Sequence, residues 1–235
     1  QTCYWLDQNT GKIYRADVTN GKISVTLGAS GAIALLCEPA GAKFADSAVS
    51  EGIPETLNAI YRSDAGASSQ TLDDITLTVT ADNIGSYKKG SEKTVTYQTG
   101  ALGDWSSDDF QQGALKYVNA AGVYTADLQI DDLSDYADKA CILDLGAVYT
   151  AAEVTVNGKS AATLLYAPYR TDISKLLRQG TNTIQIKVTP RTMNRYIGFG
   201  KAYKDGSLSA SEKKTYQYYK DVGETSSSFF GGGGS

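Results

Sequence analysis

The chain has 235 residues, 41% of them hydrophobic and 20% charged, so it is long enough to bury a core without the help of disulfide bonds. Its 22 basic and 26 acidic residues give a net charge of −4, and no apolar run approaches the ~20 residues of a membrane span, so we expect neither nucleic acid nor a membrane as a partner. The absence of histidine excludes Ser-His-Asp and Cys-His catalysis, histidine-ligated zinc and imidazole acid–base chemistry.

Along most of the chain apolar and polar residues alternate with a period of two, which predicts β-strands. In chain order the clearest alternations cover residues 23–27, 75–79, 124–130 and 184–188. Turn sequences lie at Asn9-Thr10-Gly11, Asn20-Gly21, Asn157-Gly158 and Gln179-Gly180. The Asn157-Gly158 pair predicts a tight hairpin, because both residues tolerate the positive φ angles of a type I′ turn.

Two segments depart from this alternation. Residues 171–178 begin with a capping residue and space their apolar side chains along one helical face, so we predict a short helical turn there. Residues 202–225 interleave lysines with tyrosines, a pattern that also occurs on polyanion-binding surfaces. Because acidic residues are mixed into this tail, we interpret it as a long solvated loop or an edge strand.

These features divide the chain into consecutive parts. Residues 1–38 are predicted to form a small β-segment of about three strands, too few to close a sandwich alone. Residues 39–70 have no sustained alternation and are predicted to be a connector. Residues 71–230 contain enough strand for a complete two-layer β-sandwich. Residues 231–235 read GGGGS, the composition of a flexible linker.

The sequence leaves the state of two cysteines open. Cys3 and Cys37 lie near the two ends of the opening β-segment, where they form a disulfide if the protein is exported or remain two buried thiols. Cys141 begins the apolar run CILDLG, and we interpret it as a small core residue rather than a nucleophile.

Residues 140–200 carry an ordered set of short motifs. They are LDLG at 143–146, AEVTVNGK at 152–159, APYR at 167–170 and NRYIG at 194–198. In this order they resemble the galactose-binding-like, sugar-binding jelly-roll domain of family 2-type glycoside hydrolases, most closely the version in α-L-rhamnosidase-like enzymes. The resemblance implies an all-β jelly-roll sandwich at 71–230, preceded at 1–38 by the end of a small β-domain.

The resemblance also implies a function. In such enzymes a (β/α) barrel holds the catalytic carboxylates, and this chain lacks the βα alternation that a barrel of ~250 residues requires. We therefore expect a non-catalytic carbohydrate-binding or accessory domain of a bacterial glycoside hydrolase, secreted or periplasmic, whose partners are carbohydrate and the catalytic barrel of the parent enzyme. The alternatives are a structural or protein-interaction module without sugar binding, an engineered fusion partner, and a complete small hydrolase.

Five residues are candidates for carbohydrate binding, because sugar sites combine aromatic faces with planar polar groups that bind hydroxyls. They are Trp105, Tyr169, Arg170, Asn194 and Arg195. Four of them also have a structural interpretation. Trp105 is a core or interface anchor, Arg170 a clamp on loop carbonyls or on Asp172, and the Asn194-Arg195 pair a lock on the exit of a strand.

We predict no catalytic residue and no cofactor, apart from a structural calcium ion. Acidic residues that such an ion would use lie at Asp104, Asp108 and Asp109 and at Asp131-Asp132, although solvated loops are the simpler interpretation. Asp73, Asp74 and Glu153 are the remaining candidates for a hydrolytic acid and base, but nothing in the sequence places them across a cleft.

Overall fold

The computed structural model describes residues 2–7, 11–25, 27, 33–39, 48–54, 57, 68–137 and 139–217. The strands, in chain order, are β1 (Cys3–Leu6), β2 (Ile13–Ala16), β3 (Ala34–Cys37), β4 (Val49–Ser50), β5 (Thr76–Ala81), β6 (Lys93–Gln98), β7 (Gly122–Ile130), β8 (Ile142–Asp144), β9 (Ala151–Val156), β10 (Lys159–Leu164), β11 (Arg170–Asp172) and β12 (Gly180–Thr189), followed by helix α1 (Met193–Lys204). The predicted all-β class is confirmed, with α1 and a second helical segment at 210–217 as additions.

The chain divides into two compact units. The first unit comprises the described residues of 1–76 and 123–188, and the second those of 77–122 and 189–217. Each unit is assembled from two separate stretches of chain.

In the first unit β1 to β4 form a small sheet with the order β3-β1-β2-β4. β1 runs antiparallel to β2 and β3, and Cys3 lies directly opposite Cys37. These two cysteines form a disulfide, which decides the question that the sequence left open. Cys3 and Trp5 of β1 and Tyr14 and Ala16 of β2 form the buried cluster of this sheet, as expected for residues two apart on a strand.

One prediction in this region is corrected, and one strand is added to those predicted. β4 lies inside the predicted connector and pairs in parallel with β2, a contact of two residues that is too short to show alternation. The strand predicted at 23–27 is absent from its described residues, 23–25 and 27. The chain instead makes an isolated bridge between Thr19 and Lys22 around Asn20-Gly21, both at positive φ. The Asn9-Thr10-Gly11 turn lies largely outside the described residues.

The larger part of the first unit contains four strands side by side in the order β10-β9-β12-β7. The predicted alternations at 124–130 and 184–188 correspond to β7 and β12. β9 and β10 form the predicted hairpin, with Asn157 at φ 53° and Gly158 at φ 76°. Alternate side chains of these strands make the core, among them Tyr124, Ala126, Leu128, Ile130, Val154, Val156, Ile184 and Ile186.

A two-stranded antiparallel sheet of β8 and β11 completes this unit. The helical turn predicted at 171–178 is shorter than expected, because Thr171 and Asp172 belong to β11 and pair with Leu143 and Ile142. The helical part is a 3-10 turn, Ser174–Leu176.

In the second unit β5, which confirms the predicted alternation at 75–79, is adjacent to β6. Hydroxyl pairs link the two strands, Thr78 with Thr96 at 2.8 Å and Thr80 with Thr94 at 2.7 Å. Leu77, Val79, Leu115 and Val118 are completely buried in this unit.

The interpretation of the tail from 202 onward as a loop or edge strand is wrong for its described residues. α1 continues to Lys204, and a second helix covers 210–217. The second helix begins with a capping box. The Ser209 N–H donates to Glu212 Oε2 at 2.9 Å, and the Glu212 N–H donates to Ser209 Oγ at 3.3 Å. None of the helices in the described part of the chain is both long and apolar enough to cross a membrane.

Candidate functional site

The second unit contains a pocket of about 140 Å³. Its walls come from the segment after β5, from α1 and from the residues that follow α1. The lining residues are Tyr87, Lys88, Lys89, Phe199, Ala202, Ser207, Leu208 and Glu212. The pocket therefore combines aromatic rings with cationic, hydroxyl and carboxylate groups.

One wall of the pocket is held by Asp205, the residue directly after α1. Tyr87 donates its hydroxyl to Asp205 Oδ2 at 2.6 Å, and the Ser207 N–H donates to Asp205 Oδ1 at 2.9 Å. Lys88 Nζ lies 3.4 Å from the same carboxylate. The hydrogen bonds from Ser207 and Tyr87 hold the pKa of Asp205 well below its usual range, so the Asp205 carboxylate is ionised and hydrogen-bonded at neutral pH.

α1 approaches this wall closely because Gly198 has no side chain. A Cβ at Gly198 would lie 3.3 Å from Tyr117 Cβ and 3.4 Å from Tyr87 Cβ. The rings of Tyr87 and Tyr117 meet edge to face with centroids 6.0 Å apart. Lys201 Nζ lies 5.1 Å from the centroid of the Tyr117 ring. Gly198 thus packs against two tyrosines that are distant from it in the sequence.

Arg195, a predicted site residue, lies in α1 with its side chain only 9% exposed. Its guanidinium stacks over the Phe199 ring at 4.7 Å from the centroid. Its Nη2 is 3.7 Å from Asp82 Oδ1, beyond hydrogen-bond distance, and its Nη1 is buried with no acceptor among the described residues. Arg195 also lowers the pKa of Glu212, after the larger effect of the hydrogen bonds from Ser209.

Asn194 and Trp105 also lie in the second unit, but they are not among the residues that line the pocket. Asn194 is half-buried in the first turn of α1. The Asn194-Arg195 pair therefore lies at the start of a helix, and not only after the end of a strand. Trp105 is 8% exposed, and a Cβ at Gly122 would lie 2.6 Å from its ring. Its ring is therefore unavailable for stacking on a sugar, and Trp105 acts as the core anchor of its alternative interpretation.

Tyr169 and Arg170 lie in the first unit, where β11 begins. Tyr169 is buried, and its hydroxyl donates to the Thr150 carbonyl at 3.1 Å. Arg170 donates from Nε and Nη2 to Asp144 Oδ2 at 2.8 and 2.7 Å. The clamp predicted for Arg170 therefore exists, and one of its partners is Asp144, the residue opposite on β8.

Several of the acidic residues considered for calcium or hydrolysis have local partners. Asp104 accepts hydrogen bonds from the Ser106 N–H and hydroxyl at 2.8 and 2.7 Å, which lower its pKa. Asp108 accepts from Lys116 at 2.7 Å, and Glu153 from Lys187 at 2.8 Å. Over the described ranges no three acidic or cysteine side chains gather as a metal site.

Cys141 is half-buried, and burial raises the pKa of its thiol. A raised thiol pKa lowers the fraction of reactive thiolate. The geometry therefore agrees with the interpretation of Cys141 as a packing residue.

Residues 93–220, just over half of the chain, match the sequence family described as glycosyl hydrolase 2 galactose-binding domain-like. The chain belongs to this family. The resemblance drawn from the LDLG, VNGK, APYR and NRYIG motifs is thereby confirmed, and all five predicted site residues lie inside the matched range.

Individual relatives are similar over part of the chain. A protein of Formosa agariphila named "Putative beta-glucuronidase" is 34% identical over 97 residues, which are 41% of this chain and 8% of that protein. The structure of a rhamnosidase from Novosphingobium sp. PP1Y is 29% identical over 56% of this chain and 12% of its own, with a TM-score of 0.44. A glycosyl hydrolase family 2 member from Bacteroides cellulosilyticus is 23% identical over 53% of this chain and 18% of its own, with a TM-score of 0.34. The chain thus spans a small fraction of the length of each relative.

Sequence reasoning missed the residues that line the pocket. Tyr87, Lys88 and Lys89 lie in an irregular segment after β5, and Phe199 lies in a glycine-rich stretch that has low intrinsic helix propensity. The S-x-x-E pattern at 209–212 was the available signal for a helix start next to Leu208.

Proposed function

We propose that this galactose-binding-like domain is a non-catalytic, carbohydrate-binding accessory domain of a glycoside hydrolase, and that a sugar residue binds in the pocket lined by Tyr87 and Phe199. The observation that carries the proposal is the lining of this pocket, which combines two aromatic rings with the charged groups of Lys89 and Glu212. Membership of a glycosyl hydrolase 2 family supports the same function.

The pocket has the chemistry that sugar recognition uses. The faces of aromatic rings such as Phe199 and Tyr87 accept the apolar C–H surface of a pyranose, while lysine and carboxylate groups bind its hydroxyls. Lys89 lines the pocket, and its charge contributes to the lowered pKa of Glu212. A hydroxyl or ring oxygen of the sugar would accept hydrogen bonds from the lysine and serine groups that line the pocket.

The titration behaviour of the carboxyl groups supports a role without bond cleavage. Glycoside hydrolysis needs one carboxylic acid that is still protonated near neutral pH and a second carboxylate about 5 to 10 Å away. Within the described ranges, five carboxyl groups have a lowered pKa. These groups are Asp104, Asp108, Asp132, Asp205 and Glu212. Such groups are ionised at neutral pH and do not protonate a leaving group.

We also propose that the domain docks against the catalytic domain of its parent enzyme. Met193 and Ile197 are exposed and lie four residues apart on α1, so they share one face of the helix. An exposed apolar face is typical of an interaction surface. This observation also supports the alternative in which the domain is purely an interaction module.

A secreted or periplasmic location is part of the proposal. The disulfide between Cys3 and Cys37 supports it, because disulfides persist in oxidising compartments and are rare in the cytosol.

A titration with rhamnose, galactose, glucuronate and short oligosaccharides tests the function. Backbone NMR shifts are followed at Tyr87, Lys89 and Phe199, and the matched variants are Lys89→Gln and Lys93→Gln, which remove the same charge inside and outside the pocket. We expect the Lys89 variant to bind about tenfold more weakly, the cost of one charge-assisted hydrogen bond, and the Lys93 variant to bind normally. Silence across all sugars, or equal weakening by both variants, refutes the proposal.

A further inference from the structure

Tyr149, in the loop between β8 and β9, is the most exposed of the large hydrophobic side chains in the described part of the chain, at 73%. Its backbone is also left-handed, with φ at 65°. Residues with a Cβ rarely adopt this conformation because it brings the side chain against the backbone. The loop therefore contains an exposed tyrosine whose backbone has a conformation that glycine would adopt more easily.

Residues on both sides of Tyr149 are anchored. Asp144 Oδ1 accepts the Gly146 N–H at 2.8 Å on one side, and the Thr150 carbonyl accepts the Tyr169 hydroxyl at 3.1 Å on the other. The Leu145 N–H also donates to the Tyr169 carbonyl at 2.9 Å. The exposed ring of Tyr149 is thus carried by a loop that is fixed before any ligand arrives, which lowers the entropy cost of binding.

The same anchors bring a polar pair into this loop cluster. Arg170 follows Tyr169 directly in sequence and lies opposite Asp144 in the register of β8 and β11. The guanidinium donates twice to Asp144 Oδ2, and the Asp144 side chain remains 44% exposed. A planar donor and a planar acceptor therefore lie at the strand ends that anchor the loop of Tyr149, and polar groups of this kind orient ligands in binding sites.

We infer that Tyr149, Arg170 and Asp144 form a second saccharide-binding surface, in which the Tyr149 ring stacks on a sugar and the ion pair binds its hydroxyls. This inference rests on the proposed carbohydrate-binding function but not on the pocket near Phe199. The ligand class is a neutral residue within an oligosaccharide. The charge of Arg170 is already balanced by Asp144, and Tyr149 is 73% exposed, so the surface is open to a residue within a longer sugar chain.

Tyr149→Gly provides a sharp test because its effects on binding and on folding have opposite signs. It removes the ring and relieves the left-handed backbone, so we expect an unchanged or higher Tm together with at least tenfold weaker binding. Tyr149→Phe keeps the ring and should bind within about threefold of the wild type. The probes are cellotetraose, β-1,4-galactotetraose and β-1,4-mannotetraose, measured by calorimetry and by NMR shifts at 144–150 and 169–171.

The Lys89→Gln variant separates this surface from the pocket. Shifts at 144–150 that persist in Lys89→Gln and disappear in Tyr149→Gly support the second surface. Binding that Tyr149→Gly leaves intact but Lys89→Gln weakens overturns it and leaves the proposed function standing. A wild-type domain that binds none of the three probes, nor any sugar of the pocket titration, overturns both.

Discussion

Asn157 Nδ2 donates to Asn182 Oδ1 over 2.8 Å, joining the turn of the β9–β10 hairpin to the start of β12. Asn182 is completely buried, and its own Nδ2 donates to the carbonyls of Arg178 and Gly180 at 2.7 and 3.0 Å. Asn157 in turn accepts the Thr183 N–H through Oδ1 at 3.2 Å. One pair of amide side chains therefore satisfies backbone groups that neither a strand nor a helix would satisfy at this corner.

Replacement of Asn182 by alanine should be strongly destabilising. The change removes the donor to the carbonyls of Arg178 and Gly180 and opens a cavity in place of a completely buried side chain, so we expect the free energy of unfolding to fall by about 2 to 4 kcal/mol. Urea denaturation followed by circular dichroism measures the loss.

Asn194→Ala is the matched control for that experiment. Asn194 is half-buried at the start of α1, and alanine has a higher helix propensity, so its stability should change by less than about 0.5 kcal/mol. Equal losses in the two variants would contradict the role assigned to Asn182.

Gly122 at the start of β7 should not tolerate a side chain. A Cβ there would lie 2.6 Å from Trp105 Cη2 and 2.9 Å from Leu77 Cδ1, so Gly122→Ala forces the indole to move. We expect a loss of about 1 to 3 kcal/mol, the usual cost of overpacking, and a shift of the tryptophan emission to longer wavelength.

A double variant shows whether Trp105 is the cause. Trp105→Leu frees the space above Gly122, so adding Gly122→Ala to it should cost less than adding Gly122→Ala to the wild type. Additive losses would show that the alanine strains something other than the indole.

The Tyr87–Asp205 contact predicts the acid behaviour of the segment after α1. The pKa of Asp205 is lowered in the folded state, so its stabilising contribution is complete above the unfolded pKa of about 4 and disappears as the pH falls through the lower folded value. Tyr87→Phe removes the hydroxyl donor, so the Asp205 midpoint should rise toward the ordinary range.

Carbon-13 NMR titration of the Asp205 carboxyl measures that midpoint. Tyr203→Phe serves as the control, because Tyr203 lies in the same helix and no contact between its hydroxyl and Asp205 exists in the described residues. A midpoint that stays low in Tyr87→Phe would mean that Ser207 and Lys88 keep the carboxyl ionised without the Tyr87 hydroxyl.

Most of the strand framework was predictable from local sequence. The alternations at 75–79, 124–130 and 184–188 correspond to β5, β7 and β12, since a strand with one wet face must alternate wherever it lies. The Asn157-Gly158 turn was predictable because its positive φ angles are a property of two adjacent residues. Helix α1 was not predictable, because the glycines at 198 and 200 lower its intrinsic helix propensity. The helix forms because it packs against Tyr117 and Tyr216.

The sequence by itself determined the all-β class, the hairpin and, through its ordered motifs, the galactose-binding-like family. Only the tertiary structure decided which aromatic rings face water. Trp105 is buried over Gly122 and Tyr169 against Thr150, while Tyr149 is left exposed. The physical reason is that burial depends on partners distant in the chain, as Tyr87 and Asp205 meet across 118 positions, and no local pattern encodes such partners.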